Sequence, residues 1–212
     1  MRALDGLLRH RVSVALASCW TLSAAVLAAL PDRSVQGLLE QASTTRPRLA
    51  AWPVTLPVSG LLVRDDLAVW LLALLLGADQ LERALGWRRT LALLAGVHAG
   101  ATALSQALLG ARVAVGHAPY AVLGQVDVGP SYLAVGGLAA AAALAPTRGR
   151  AVLAAGALAA GVPELLEGLS HLDLAATGHV AAALLGAGGG WWSRPAQDRA
   201  VRPMWKRGLT AT

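Results

Sequence analysis

Six apolar stretches, each bounded by charge, proline or glycine, recur along the chain at residues 12–30, 67–85, 90–109, 128–144, 151–166 and 172–192. A helix needs roughly 20 apolar residues to cross the hydrocarbon of a bilayer. The pattern therefore predicts an all-α polytopic membrane protein, a six-transmembrane-helix bundle. The first stretch follows Arg2, Arg9 and Arg11 and so carries the flank of a secretory signal. Its apolar run of 19 residues exceeds the roughly 7–15 of a signal core, which makes it a helix of the bundle. The fifth is short and carries Pro163, Glu164 and Glu167 near its end. Residues 31–63 are long for a connection in a bundle. Within them 34–42 reads as an amphipathic turn with Val35, Leu38 and Leu39 on one side, and Pro47, Pro53 and Pro57 break the remainder. Such a segment suits a lid or a stretch lying in the membrane interface. The organisation expected is a short N-terminus at 1–11, a membrane domain at 12–192 with the loop 31–63, and a basic tail at 193–212.

Composition agrees with that pattern. The 212 residues are 56% hydrophobic and 14% charged, against about 25% charged in soluble chains. Apolar content excludes disorder, and the lone Cys19 excludes a disulfide scaffold. The net charge of +6 becomes a statement about topology once it is placed along the chain. With the N-terminus cytoplasmic, 13 of the 18 Lys and Arg fall on the inner side, leaving Arg33, Arg46, Arg48, Arg64 and Arg112 outside. Asp32, Glu40, Asp65, Asp66, Asp127, Glu164, Glu167 and Asp173 all fall outside. Positive residues stay on the untranslocated side, so both termini are expected in the cytoplasm of a plasma-membrane protein. Trp87, Trp191 and Trp192 stand where an inner interfacial belt is expected. The basic tail is a topology signal that also suits a lipid surface, and no aromatic-interleaved basic motif calls for nucleic acid. The chain lacks Phe, Ile and Asn and is rich in Ala, Gly and Arg, a composition typical of a GC-rich bacterial genome.

Polar groups at membrane depth are costly without partners and so direct attention to function. Ser131 lies four residues beyond Asp127, and His179 six beyond Asp173. At 1.5 Å per residue they stand at about 6 and 9 Å depth on the same side, as a serine–histidine pair requires. Gly129-Pro130 precedes the serine, and proline suits a helix start. The N–H groups of Ser131 and Tyr132 would then be open to a developing negative charge. The alternative is that both side chains merely join helices. His98, midway along the third stretch, reads as a packing residue held by hydrogen bonds. Glu164, Glu167 and His171 share one face at i, i+3, i+7, with Asp173 nearby, but no metal-binding motif supports them and a solvated acidic loop is expected. Asp79 and Glu82 stand near Arg83, Arg88 and Arg89 and are expected to pair with them. Gly96 and Gly100, with Gly136, Gly137 and Gly161, are expected to let helices approach closely.

In this setting the segment from Leu76 to Gly86, with Glu82, Arg83 and Gly86 at its end, resembles the inner end of the second helix of rhomboid proteases. Gly129-Pro130-Ser131 resembles the first three positions of that family's G-x-S-G motif, and Gly178-His179 with Ala181 and Ala182 resembles its histidine segment in the sixth helix. The resemblance covers the chain from the first helix to Trp192. It implies a rhomboid-like six-helix bundle and an intramembrane serine protease without cofactor or metal. Ser131 would be the nucleophile and His179 the base, with Gly129 and Tyr132 beside the oxyanion, and the substrate would be a transmembrane segment of a membrane protein. It also implies that the fifth helix stands where a substrate helix gains lateral access. Departures from the pattern keep a second reading open. Tyr132 stands where the motif has its second glycine. The family's second-helix His and Asn correspond by counting to Asp66 and Trp70. The second reading is a catalytically silent rhomboid-type pseudoprotease that binds transmembrane helices.

Overall fold

The computed structural model describes residues 10–145 and 147–194, which form helices joined by turns with no strand among the described residues. In chain order they are α1 (Arg11–Ala29), α2 (Asp32–Ala42), α3 (Arg46–Ala51), α4 (Thr55–Ser59), α5 (Leu67–Leu76), α6 (Ala78–Leu85), α7 (Trp87–Ala114), α8 (Ser131–Leu144), α9 (Arg148–Leu165) and α10 (Leu174–Trp192). Two single turns of 3-10 helix, Tyr120–Gly124 and Leu169–His171, lie in the connections before α8 and α10. The expected segment 1–9 and the basic tail beyond 194 lie outside the described residues.

The helices fall on the six apolar stretches, with informative differences. Two of them, α1 and α7, are long and apolar enough to cross a membrane. The second stretch is two helices rather than one, since the backbone turns at Gly77 (φ −104°, ψ −85°). A Cβ there would press on the backbone of Gly137 and Leu138, so the break lets the α5–α6 corner touch α8. The fifth stretch is one unbroken helix that carries Pro163 inside it. In the loop 31–63 the amphipathic turn expected at 34–42 lies within a longer helix, α2, with Val35 and Leu39 buried and Leu38 exposed, and two further short helices follow.

The centre of the molecule is α8, with 9 of its 14 residues buried. It packs on α10, α9, α5, α6 and α7. The closest pairing is α8 on α10. Along α10, Gly178, Ala182, Gly186 and Gly190 recur every fourth residue and form one face. A Cβ at Gly178 would fall in the Tyr132 ring, at Gly186 on the Gly136 backbone, and at Gly190 on the Ala140 backbone. Tyr132, Gly136 and Ala140 are the matching four-residue series on α8. Small residues at this spacing permit backbone-to-backbone approach, the main source of helix association in lipid. Gly96 and Gly100 do not serve this purpose: nothing stands within 4 Å of a Cβ at Gly96, and Gly100 meets only the Leu185 side chain.

At one end, Glu82 anchors α1. Its carboxylate is 3% exposed and accepts from Val12 N–H (2.9 Å), Ser13 N–H (3.0 Å) and Ser13 Oγ (2.9 Å). Three donors, two of them first-turn amides that α1 cannot satisfy itself, make the buried charge tolerable. The expected cluster of acids with arginines is thus divided. Asp79 takes Arg83 (2.8 Å) and stands 2.6 Å from His10 Nδ1, Glu82 serves the helix start, and the Arg88 and Arg11 guanidinium groups lie over Trp87. Gly86, at φ +77°, makes the turn into α7, a conformation that glycine adopts without strain.

Candidate functional site

Polar side chains gather at the opposite end, where α7, α8 and α10 meet the segment 31–63. That segment is fastened on three sides. Trp20, fully buried on α1, donates through its indole N–H to Gly60 O (3.0 Å), and Ser23 Oγ donates to Leu61 O (3.0 Å) while accepting from Val63 N–H (3.1 Å). Gly129 N–H donates to Ser59 O (3.0 Å). Asp127 N–H donates to Ser43 Oγ (2.8 Å), and Thr44 Oγ1 donates to the Asp127 carboxylate (2.9 Å). Gly129 itself adopts φ +144°, which side chains rarely tolerate, so it sets the approach of the chain into α8.

The helix begins at Ser131 with Pro130 as its cap, within one residue of the start expected from the proline. Consecutive side chains on a helix differ by about 100° in direction. The α8–α10 register turns Tyr132 toward α10, and that assigns Ser131 elsewhere. Tyr132 is 3% exposed and sits in the notch left by Gly178, its hydroxyl directed at Leu174 O (3.4 Å). Its ring stands between two imidazoles, 5.5 Å from His179 edge-on and 6.0 Å from His98 at a tilt. Ser131 instead lines a cavity of about 270 Å³ bounded by Asp66, Trp70, Val126, Gly129 and Pro130.

The carbonyls that the imidazoles face define their tautomers, because a carbonyl only accepts. His179 Nδ1 carries the proton and donates to Leu165 O (2.8 Å), leaving Nε2 as a buried lone pair with no partner. His98 Nε2 carries the proton and donates to Leu56 O (2.8 Å), with Ser59 Oγ at 3.1 Å. His98 Nδ1 is the second buried lone pair. The expectation that His98 is held by hydrogen bonds thus has its partners in α4. No hydrogen bond joins Ser131 to His179. The structure brings His179, Tyr132, His98 and Asp127 together, and places Ser131 with Asp66 and Trp70. The Trp70 indole N–H is already given to Asp65 O (3.1 Å).

Asp127 closes the cluster in the connection before α8. Burial raises its carboxyl above the usual range, while the Thr44 hydrogen bond, the facing Tyr132 hydroxyl and the two imidazoles oppose the rise. Sequence reasoning counted Asp127 only as an outer-side charge. Glu164, Glu167 and His171 lie exposed.

A family profile described as rhomboid-like protein matches residues 12–196. This chain belongs to the rhomboid-like protein family. The match runs from the first turn of α1 past the end of α10, so the membrane bundle as a whole is the rhomboid-like unit. No curated protein and no solved structure matches it. Within this rhomboid-like protein a second feature stands beside the polar cluster. Between α5 and α9, with α8 as its floor, runs a largely apolar groove of about 460 Å³ lined by Val69, Trp70, Leu138, Ala157, Ala160 and Gly161 among others, with Asp66 and Glu164 also in its lining. One residue of α9, Ala154, is buried, so this wall of the groove is a peripheral helix that packs mainly on α8.

Proposed function

We propose that this rhomboid-like membrane protein binds a transmembrane helix of another membrane protein in the groove between α5 and α9 and does not cleave it. In this reading α1, α5–α6, α7, α8, α9 and α10 are six membrane passes, with the arginine-bearing end and both termini in the cytoplasm and the Tyr132 cluster toward the outer surface. α8, at 14 residues, spans only about 21 Å and crosses as a sheathed central helix. The observation that carries the proposal is the packing of Tyr132 on Gly178 beside His179, the place a Ser131–His179 pair would have to use. A nucleophile needs its base within about 3 Å, and Ser131 lies one helical step away in direction. The groove's α9 wall presents Ala157, Ala160 and Gly161 and its floor Ala134, Val135 and Leu138, which fits an apolar helix, since small residues allow close approach in lipid.

The serine-protease reading is the second. It is favoured by the unpartnered His179 Nε2, which is the atom a general base needs, and by the placement of Ser131 at a helix start. It requires the first turn of α8 to rotate.

Labelling the purified protein with a fluorophosphonate, beside an active rhomboid protease as positive control, separates the two. No label that depends on Ser131 is expected. Gly161→Leu, which fills the groove, should abolish photocrosslinking from Ala160 to a single-pass membrane protein, and Ser131→Ala should leave it unchanged. Labelling lost in Ser131→Ala would overturn the proposal in favour of the protease.

A further inference from the structure

At the end opposite the Tyr132 cluster lies the largest cavity described, about 740 Å³. Four arginines converge on it from four separate parts of the chain: Arg83 on α6, Arg89 on α7, Arg150 on α9 and Arg194 just beyond α10. No acidic side chain lines it among the described residues. Asp79, on the same helix as Arg83, is engaged by it and faces His10. The back of the cavity is apolar, with Leu85 and Leu144 at the end of α8. Trp87 beneath Arg88, and the exposed rings of Trp191 and Trp192, belong to the same end of the bundle.

Asp79 pairs with Arg83, while Arg89, Arg150 and Arg194 meet no acidic side chain among the described residues of the lining, so an anion entering there would complement their positive charge. Guanidinium geometry suits paired N–H donation to phosphate oxygens. We propose that this cavity binds a phosphate group, with its apolar back covered by the glycerol and first acyl carbons when that phosphate is the headgroup of an anionic phospholipid. Basic pockets between helix ends at the cytoplasmic surface are suited to such headgroups. The site is remote from the groove and does not depend on how that groove is used.

The test uses the full-length protein in neutral detergent. Thermal unfolding and lipid retention by native mass spectrometry are followed with added phosphatidylglycerol, phosphatidylcholine or inorganic phosphate. The variants are Arg150→Gln/Arg194→Gln and, as a control of equal charge loss, the exposed pair Arg33→Gln/Arg64→Gln. Phosphatidylglycerol should stabilise and be retained by the wild type and the control, and the cavity variant should bind it on the order of tenfold more weakly. Stabilisation by phosphatidylglycerol with inert phosphate assigns the site to a lipid headgroup. Stabilisation by phosphate alone assigns it to a free phosphate ligand, and both results uphold the proposal. Equal losses in the two double variants, or no preference for phosphatidylglycerol over phosphatidylcholine with phosphate inert, would overturn it.

Discussion

Tyr132 and Asp127 govern the buried polar cluster residue by residue. A buried carboxyl whose pKa is raised in the folded protein binds protons that the unfolded chain has already released. Its contribution to stability is therefore complete below the usual carboxylate range and is lost as pH rises through the elevated value. Asp127→Asn keeps an acceptor for Thr44 and removes the charge. Melting temperature followed from pH 4 to 8 should fall with pH more steeply in the wild type than in this variant; parallel profiles would show that the carboxyl is not responsible. Gly178→Ala puts a methyl inside the Tyr132 ring and should cost about 1–3 kcal/mol by overpacking. Combining it with Tyr132→Ala should recover much of that loss in denaturant or thermal unfolding. At the other end Glu82→Ala leaves two buried amides of α1 without an acceptor, a loss of about 1–3 kcal/mol, whereas Glu82→Gln retains one carbonyl oxygen and should lose less.

Among helices, register decides more than composition. The apolar pattern made the existence of the helices legible, because charge and glycine punctuate every stretch. It could not say which face of α8 meets α10, since Ala134 to Leu144 is small or apolar all the way round. The information lies on α10, where Gly178, Ala182, Gly186 and Gly190 mark a single face by their spacing, whereas the G-x-x-x-G of α7 meets no opposing backbone. Equal depth of Ser131 and His179 was inferred from counting, but depth fixes only one of the two coordinates a side chain needs. Rotation about the axis is the other, and only the packed pair supplies it. The Gly77 break was illegible for a similar reason, since a leucine-rich run continues into an amphipathic one without a proline. Gly186→Val and Gly190→Val, which drive side chains into opposing backbone, should therefore destabilise the bundle more than Gly96→Val, whose Cβ enters open space. Limited proteolysis in detergent would rank the three.

For the whole molecule, the two ends carry different chemistry: a buried hydrogen-bonded cluster held against the segment 31–63 at one, and a convergence of arginines at the other. Charge placement along the sequence already separated these ends, because the asymmetry is written in linear order. What the arginines enclose depends on four parts of the chain returning to one point, which linear order does not express. The groove between α5 and α9 was likewise beyond the pattern of apolar stretches, although the resemblance to rhomboid proteases implied lateral access beside the fifth helix. With one buried residue, α9 is peripheral, and hydrogen exchange in detergent should be faster there than in α8 and α10. Exchange in α9 as slow as in α8 would remove it as a movable element.

The Glu82 anchor bears on how the chain is made. The acceptor for the Val12 amide lies 70 residues downstream, so a nascent chain that has emerged only as far as α5 presents its leading helix with open donors. Ribosome-bound chains arrested before and after residue 82 should differ in protease protection of the first helix. The far end of α1 already has its partners at Gly60, Leu61 and Val63, so a truncation upstream of residue 82 should leave that end docked and the Val12–Ser13 end open.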